Sequence, residues 1–228
     1  MLRTIEKSGP VLVIAPHPDD EVLGVGGTMA RLADAGTEIH VAIVTTGRAP
    51  RFSVDQVDTV RAEAAAAHAK LGVTQTHYLD CPAAGLREYA HTELNRAISS
   101  VVQRTGAQTI FAPHPGDIHL DHQLSFLSAL VAARPHQPDY PTRVFAYETL
   151  SETNWNAPYL TPGFLPNLFV DISDTLQRKL DAFGLFESQQ RAAPHERSVA
   201  SLTALATLRG ATVHRDAAEA FVTIRIVE

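Results

Sequence analysis

Apolar residues first appear in this chain as a short unbroken run, VLVIA at residues 11 to 15. Such a run, without polar alternation, is the pattern of a strand buried on both faces of a parallel sheet. It stops at Pro16, and a polar loop follows. A glycine-punctuated segment then predicts a helix around Thr28 to Ala35, ending at Gly36, before a second strand, IHVAIVTT, from Ile39. Strand, helix and strand in that order open a βαβ unit. The alanine-rich stretch from about Val57 to Leu71 predicts a long helix stopped by Gly72, and a short strand follows at His77 to Leu79. Thr92 is placed to cap a helix that runs to Thr105 and stops at Gly106. The strand TIFAP begins at Thr109, a helix runs around His122 to Ala133, and the strand RVFAYE starts at Arg143.

This alternation predicts an α/β fold, a mainly parallel central sheet covered by helices on both sides, with its sites at the carboxyl ends of the strands. After Glu148 the pattern loosens into SETNWNAPYLTPGFLPN, rich in turn formers, which reads as a surface excursion. The strand LFVDI and two more helices come next. The final FVTIRIV alternates apolar and polar side chains and is expected to be a half-buried edge strand. Neither repeat nor linker interrupts the pattern, so residues 1–228 are expected to form one domain.

Composition narrows the function. No apolar run approaches the ~20 residues that span a bilayer, and MLRTIEKSGP shows no apolar leader before VLVIA. A single cysteine, Cys81, fits a reducing compartment, so the expected location is cytoplasmic. A net charge of −6 without a basic cluster argues against nucleic acid as a partner. The oligomeric state is left open, a homo-oligomer included. Histidine is the informative residue: there are 11, and several fall in two short segments.

Directly after VLVIA comes PHPDDE, with His17, Asp19, Asp20 and Glu21; directly after TIFAP comes HPGDIHLDH, with His114, Asp117, His119, Asp121 and His122. In a parallel sheet both strand exits lie on one edge, so the two segments can meet. Imidazoles with a carboxylate favour zinc, tolerate ferrous iron and disfavour magnesium or calcium. Surplus carboxylates supply a general base beside a metal-activated water. Gly24, Gly26 and Gly27 come too late after the strand for a dinucleotide fingerprint and are expected to allow close packing of a helix.

The motifs PHPDDEVLGVGGTMA and HPGDIHLDH resemble those of the LmbE-like, or PIG-L, family of zinc deacetylases, and the blocks RAEAAAAHAKLGV, YETLSETNW, PNLFVDIS, ESQQR, HERS and RGA are similar as well. The resemblance implies a Rossmann-like three-layer α/β sandwich with a mainly parallel central sheet and a zinc ion held by His17, Asp20 and His122. It implies Asp19 as the general base, His119 as the group that stabilises the oxyanion, and Asp121 as the carboxylate that orients a neighbouring histidine. His119 would work as an imidazolium, with Asp121 accepting from its ring. The expected reaction is hydrolysis of an N-acyl, first of all N-acetyl, group on an amino sugar or its conjugate. The alternatives are an amide in a thiol conjugate or antibiotic precursor, or a carbohydrate-binding protein with a vestigial site. Arg61, Asp117 and Trp155 are the expected substrate contacts, and Asp117 is the reserve base. CPAAGLREY carries Ala83 and Ala84 where many relatives have an acidic residue for sugar hydroxyls.

Overall fold

The computed structural model describes residues 9–228. The expectation of a missing apolar leader falls on residues 1–8, outside the described ones. Among the described residues seven strands form one sheet in the order β3-β2-β1-β4-β5-β7-β6. Strands β1 (Val11–Ala15), β2 (Ile39–Thr46), β3 (Gln75–Pro82), β4 (Thr109–Pro113) and β5 (Arg143–Tyr147) are mutually parallel. β7 (Ala218–Ile226) runs antiparallel to both β5 and β6 (Leu168–Asp171).

Alternate residues of β1 feed different cores, which is what a strand covered on both faces requires. Val11, Val13 and Ala15 pack in one layer with α1 (Asp20–Asp34) and α2 (Val54–Leu71), joined by α5 (Leu176–Gly184) and α6 (Val199–Thr212). Leu12 and Ile14 pack on the other side against α3 (His91–Thr105) and α4 (Leu120–Ala132). The result is the three-layer α/β sandwich expected. Among the described residues no helix is long and apolar enough to cross a membrane.

Several boundaries differ from the sequence reading. α1 begins at Asp20 rather than near Thr28, so its glycines lie inside the helix. A Cβ on Gly24 would stand 2.2 Å from the Tyr147 ring, and one on Gly27 would stand 2.7 Å from Ile172. Close packing is their role, in the middle of the helix. α2 starts at Val54, because Ser53 and Gln56 form a reciprocal capping box. α3 starts at His91, with Ala90 rather than Thr92 at the cap position. β7 is not an edge over its whole length, since Ala218 to Phe221 pair with β6. Beyond Phe221 it pairs with β5 alone among the described residues and is half-exposed, but the expected alternation is broken at Ile224, where the register with β5 shifts and the apolar side chain is exposed.

Candidate active site

The chain leaves β1 toward β2 and leaves β4 toward β5, in opposite directions along the sheet. A crevice therefore opens at the carboxyl ends of β1 and β4, where α/β sheets bind ligands. The β1 exit turns into α1 through Asp19, whose φ of 112° is unusual for a residue with a side chain. That conformation is held from behind: Asp19 N–H donates to Glu21 Oε2 (3.2 Å), and Glu21 Oε1 meets His68 Nε2 at 3.0 Å. The other nitrogen of His68 lies 2.7 Å from Thr76 Oγ1. The tight turn brings His17, Asp19 and Asp20 onto one side of the crevice.

From the β4 exit come His119, which caps α4, and His122 in its first turn. His122 Nε2 lies 3.2 Å from Asp20 Oδ2, and His17 Nδ1 lies 3.3 Å from the same oxygen. These three groups are close enough to share one metal ion. Asp20 Oδ1 and His122 Nε2 are buried with no hydrogen-bond partner among the described residues, as ligands awaiting a cation would be. The far nitrogen of each imidazole has a carboxylate of its own. His17 Nε2 pairs with Asp121 Oδ2 at 3.2 Å, and His122 Nδ1 with Asp117 Oδ2 at 2.9 Å. Such partners fix ring orientation and raise ligand basicity. His17, His119 and Asp121 form a second group close enough to hold a metal ion, but Asp121 is already committed to His17 Nε2 and to the Ala84 N–H (2.7 Å).

Charge in this pocket is finely opposed. Burial alone would lower His17 and His122, but bonds to Asp121 and Asp20 lift the first to about 9, and the attraction of Asp20 with the bond to Asp117 lifts the second to about 10. Burial likewise opposes the charge of Asp20, yet the two histidines hold it well below the usual carboxylate range. Asp19, fully enclosed, is driven up to about 8 by burial, with Arg197 opposing. Arg197 reaches Asp19 Oδ2 at 3.1 Å, while Asp19 Oδ1 has no partner among the described residues. His119 is lowered to about 4, first by burial and then by the positive His17. Its Nδ1 accepts the Asp121 backbone N–H at 3.1 Å, so the neutral ring carries its proton on Nε2.

His17, Asp19 and His119 line a cleft of about 600 Å³. Glu152 stands on its wall, its carboxyl raised by burial to about 7.

A family profile, PIG-L, GlcNAc-PI de-N-acetylase, matches residues 12–133, a stretch that carries both motif loops. The chain is 31% identical over 189 residues to diacetylchitobiose deacetylase of Thermococcus kodakarensis, covering 78% of this chain and 69% of that one. It belongs to the PIG-L family. Also similar is 2'-N-acetylparomamine deacetylase of Streptomyces fradiae, 27% identical over 223 residues, with 82% of this chain and 76% of the relative covered. Among solved structures, the conserved protein TT1542 from Thermus thermophilus superposes with a TM-score of 0.78 at 27% identity, covering 96% of each chain.

Within this PIG-L chain the expected residues are partly regrouped. His17, Asp20, His122, Asp19 and His119 meet as anticipated. Asp121 orients His17 rather than accepting from the His119 ring, because the bond between them joins the Asp121 backbone to His119 Nδ1. Asp117 is not a substrate contact: it is fully buried, with His122 on one oxygen and the Thr153 hydroxyl (2.6 Å) on the other. That arrangement equally removes it as a reserve base. Arg61 does line the cleft, stacked 4.6 Å from the Tyr78 ring centre and tied to Asp80 and Thr46. Trp155 does not line it; its indole N–H donates to Glu196 Oε1 at 2.7 Å. Arg197 and Glu152 are the residues that sequence reasoning missed. Both lie beyond residue 133, in the blocks HERS and YETLSETNW, whose spacing carries no metal or acid–base signature.

Proposed function

We propose that this protein is a zinc-dependent N-deacetylase that hydrolyses the acetamide of an amino sugar or amino-sugar conjugate. The observation that carries the reading is the convergence of His17, Asp20 and His122 beside a carboxylate oxygen, Asp19 Oδ1, that lacks a partner among the described residues and belongs to a residue lining the same cleft. The deacetylases among its relatives supply the substrate class. Zinc suits two imidazoles and one carboxylate, and ferrous iron would accept the same set. A divalent ion held there supplies Lewis acidity toward the acyl oxygen and the attacking water.

The chain's own groups do the rest. Asp19 Oδ1 takes the proton of the attacking water and passes it to the leaving nitrogen, while Arg197 holds the other oxygen and sets the direction of the carboxylate. His119 donates from Nε2 to the oxygen that gains charge as the acyl carbon becomes tetrahedral. With its Nδ1 occupied by a backbone N–H and its pKa low, it serves as a neutral donor and needs no imidazolium. Asp121 and Asp117 keep the two ligand rings aimed.

The test is zinc content together with release of acetate from a panel of N-acetylated hexosamines. One ion per chain and turnover of at least one panel member are expected. His122→Ala should lose most of both with the fold retained. A metal-loaded protein that releases no acetate from any of them refutes the reading.

A further inference from the structure

Glu152 lies in the turn after β5 and is 9% exposed, and it lines the same cleft as Asp19 and His119. Its carboxylate has neither hydrogen bond nor ion pair with any described residue, although its neighbours on both sides are pinned. Ser151, at a φ of 73°, accepts from Arg197 Nε at 3.1 Å on its hydroxyl, and its backbone N–H donates to Asn154 Oδ1 at 2.8 Å. Thr153 donates to Asp117 Oδ1 and accepts the Thr149 N–H at 2.8 Å. The turn is thus anchored to the base through Arg197 and to a ligand histidine through Asp117. It presents one largely buried carboxylate, unpaired among the described residues, to whatever fills the cleft.

A carboxylate that faces the cleft without a protein partner takes water there until a ligand that displaces the water supplies a donor in its place. Neither of the other carboxylates on the cleft wall offers a sugar hydroxyl the same acceptor. Asp19 holds Arg197 on one oxygen and keeps the other for the attacking water, and Asp55 is exposed at the start of α2, where water competes for any bond it makes. Ala83 and Ala84 add only methyl groups, and the Ala84 N–H is spent on Asp121. A sugar ring, by contrast, brings several hydroxyl donors within a few bonds of its acylated nitrogen.

Resting on the deacetylase reading above, we propose that Glu152 is the specificity-determining residue of this cleft, accepting a hydrogen bond from a ring hydroxyl of the sugar that carries the acylated nitrogen. The bond is charge-assisted and shielded from water, so it discriminates between sugars that do and do not offer that hydroxyl.

The experiment pairs side-chain removal with hydroxyl removal. Wild type, Glu152→Gln and Glu152→Ala are assayed for kcat/KM on an N-acetylhexosamine that the wild type turns over and on its 3-, 4- and 6-deoxy analogues. Zinc content and melting temperature are measured alongside. In the wild type, loss of one particular hydroxyl should lower kcat/KM roughly tenfold to hundredfold, the scale of an unpaired buried acceptor. In Glu152→Ala that loss should nearly vanish, and in Glu152→Gln it should be intermediate, with one zinc per chain in both variants. The proposal is overturned if every analogue keeps its wild-type penalty in Glu152→Ala, or if the variants lose zinc and all substrates equally. A wild type that deacetylates no hexosamine takes down the deacetylase reading and this proposal together. Turnover with no coupling takes down this proposal alone.

Discussion

Asp19 and Asp20 are neighbours in the chain, yet one carboxylate faces Arg197 and the other faces His17 and His122. The divergence comes from the left-handed turn at Asp19, which Glu21 holds from the backbone side. Asp19→Asn keeps the shape and removes the base, so zinc should stay bound while the turnover number falls by roughly 10²-fold or more. Near-normal turnover in that variant would place the base elsewhere. His119→Ala should likewise retain zinc and lower the turnover number more than it raises KM, because the oxygen it serves gains charge only on the way to the tetrahedral state. A rise in KM alone would remove that role. The proposed metal site was legible in the sequence because such a site is built from a few residue types at strand exits, and the resemblance to the family singled out His17, Asp20 and His122 among them. The pairings behind them were not. Both Asp117 and Asp121 lie within a few residues of His119 and His122, and only the path of the loop decides that Asp121 reaches across to His17.

At the scale of elements, the run VLVIA and the stops at Gly36, Gly72 and Gly106 gave sheet and helices their places, since buried strands and left-handed helix ends leave local marks. The start of α1 left none, because three internal glycines read as a loop when nothing shows what packs on them. α1 is also held by a contact invisible to local pattern. Lys179 of α5 donates to Glu219 Oε1 of β7 (2.6 Å) and to the Leu23 carbonyl (2.8 Å). Glu219 in turn accepts from the Gly27 and Thr28 N–H groups at 2.9 and 2.7 Å. Leu23 C=O and Gly27 N–H are a ladder pair of a regular helix, so the buried ion pair is seated in the ladder itself. Removing one member strands the other charge. Glu219→Ala should cost about 3–5 kcal/mol in denaturant unfolding. Lys179→Met combined with Glu219→Ala should recover part of that loss. A cost below about 1 kcal/mol for the single variant would show that water reaches the pair.

For the whole molecule, the charges gathered at the crevice tie stability to pH and to metal. His17 and His122 are raised to about 9 and about 10, above the 6.5 of a free imidazole. Their contribution to the metal-free fold is therefore complete below pH 6.5 and is lost as pH rises through 9 and 10. Asp19 pulls the same way: its folded carboxyl keeps a proton up to about pH 8 that the unfolded chain gives up near 3.8. Asp20 pulls the other way, since its depressed pKa stabilises the fold above 3.8 and ceases to do so as pH falls toward its folded value. The metal-free protein should thus lose melting temperature steadily between pH 6.5 and 10. A divalent cation competes for the same nitrogens in their unprotonated form, so loading zinc at neutral pH must expel protons. Titration calorimetry of zinc into the metal-free protein, in two buffers of different ionisation enthalpy, should register release of more than one proton per ion near pH 7.5. The count should fall toward zero above pH 10, where the rings are already neutral. Proton release that is absent at neutral pH would mean that His17 and His122 stand unprotonated in the free protein, and the alkaline loss of stability should then be absent too.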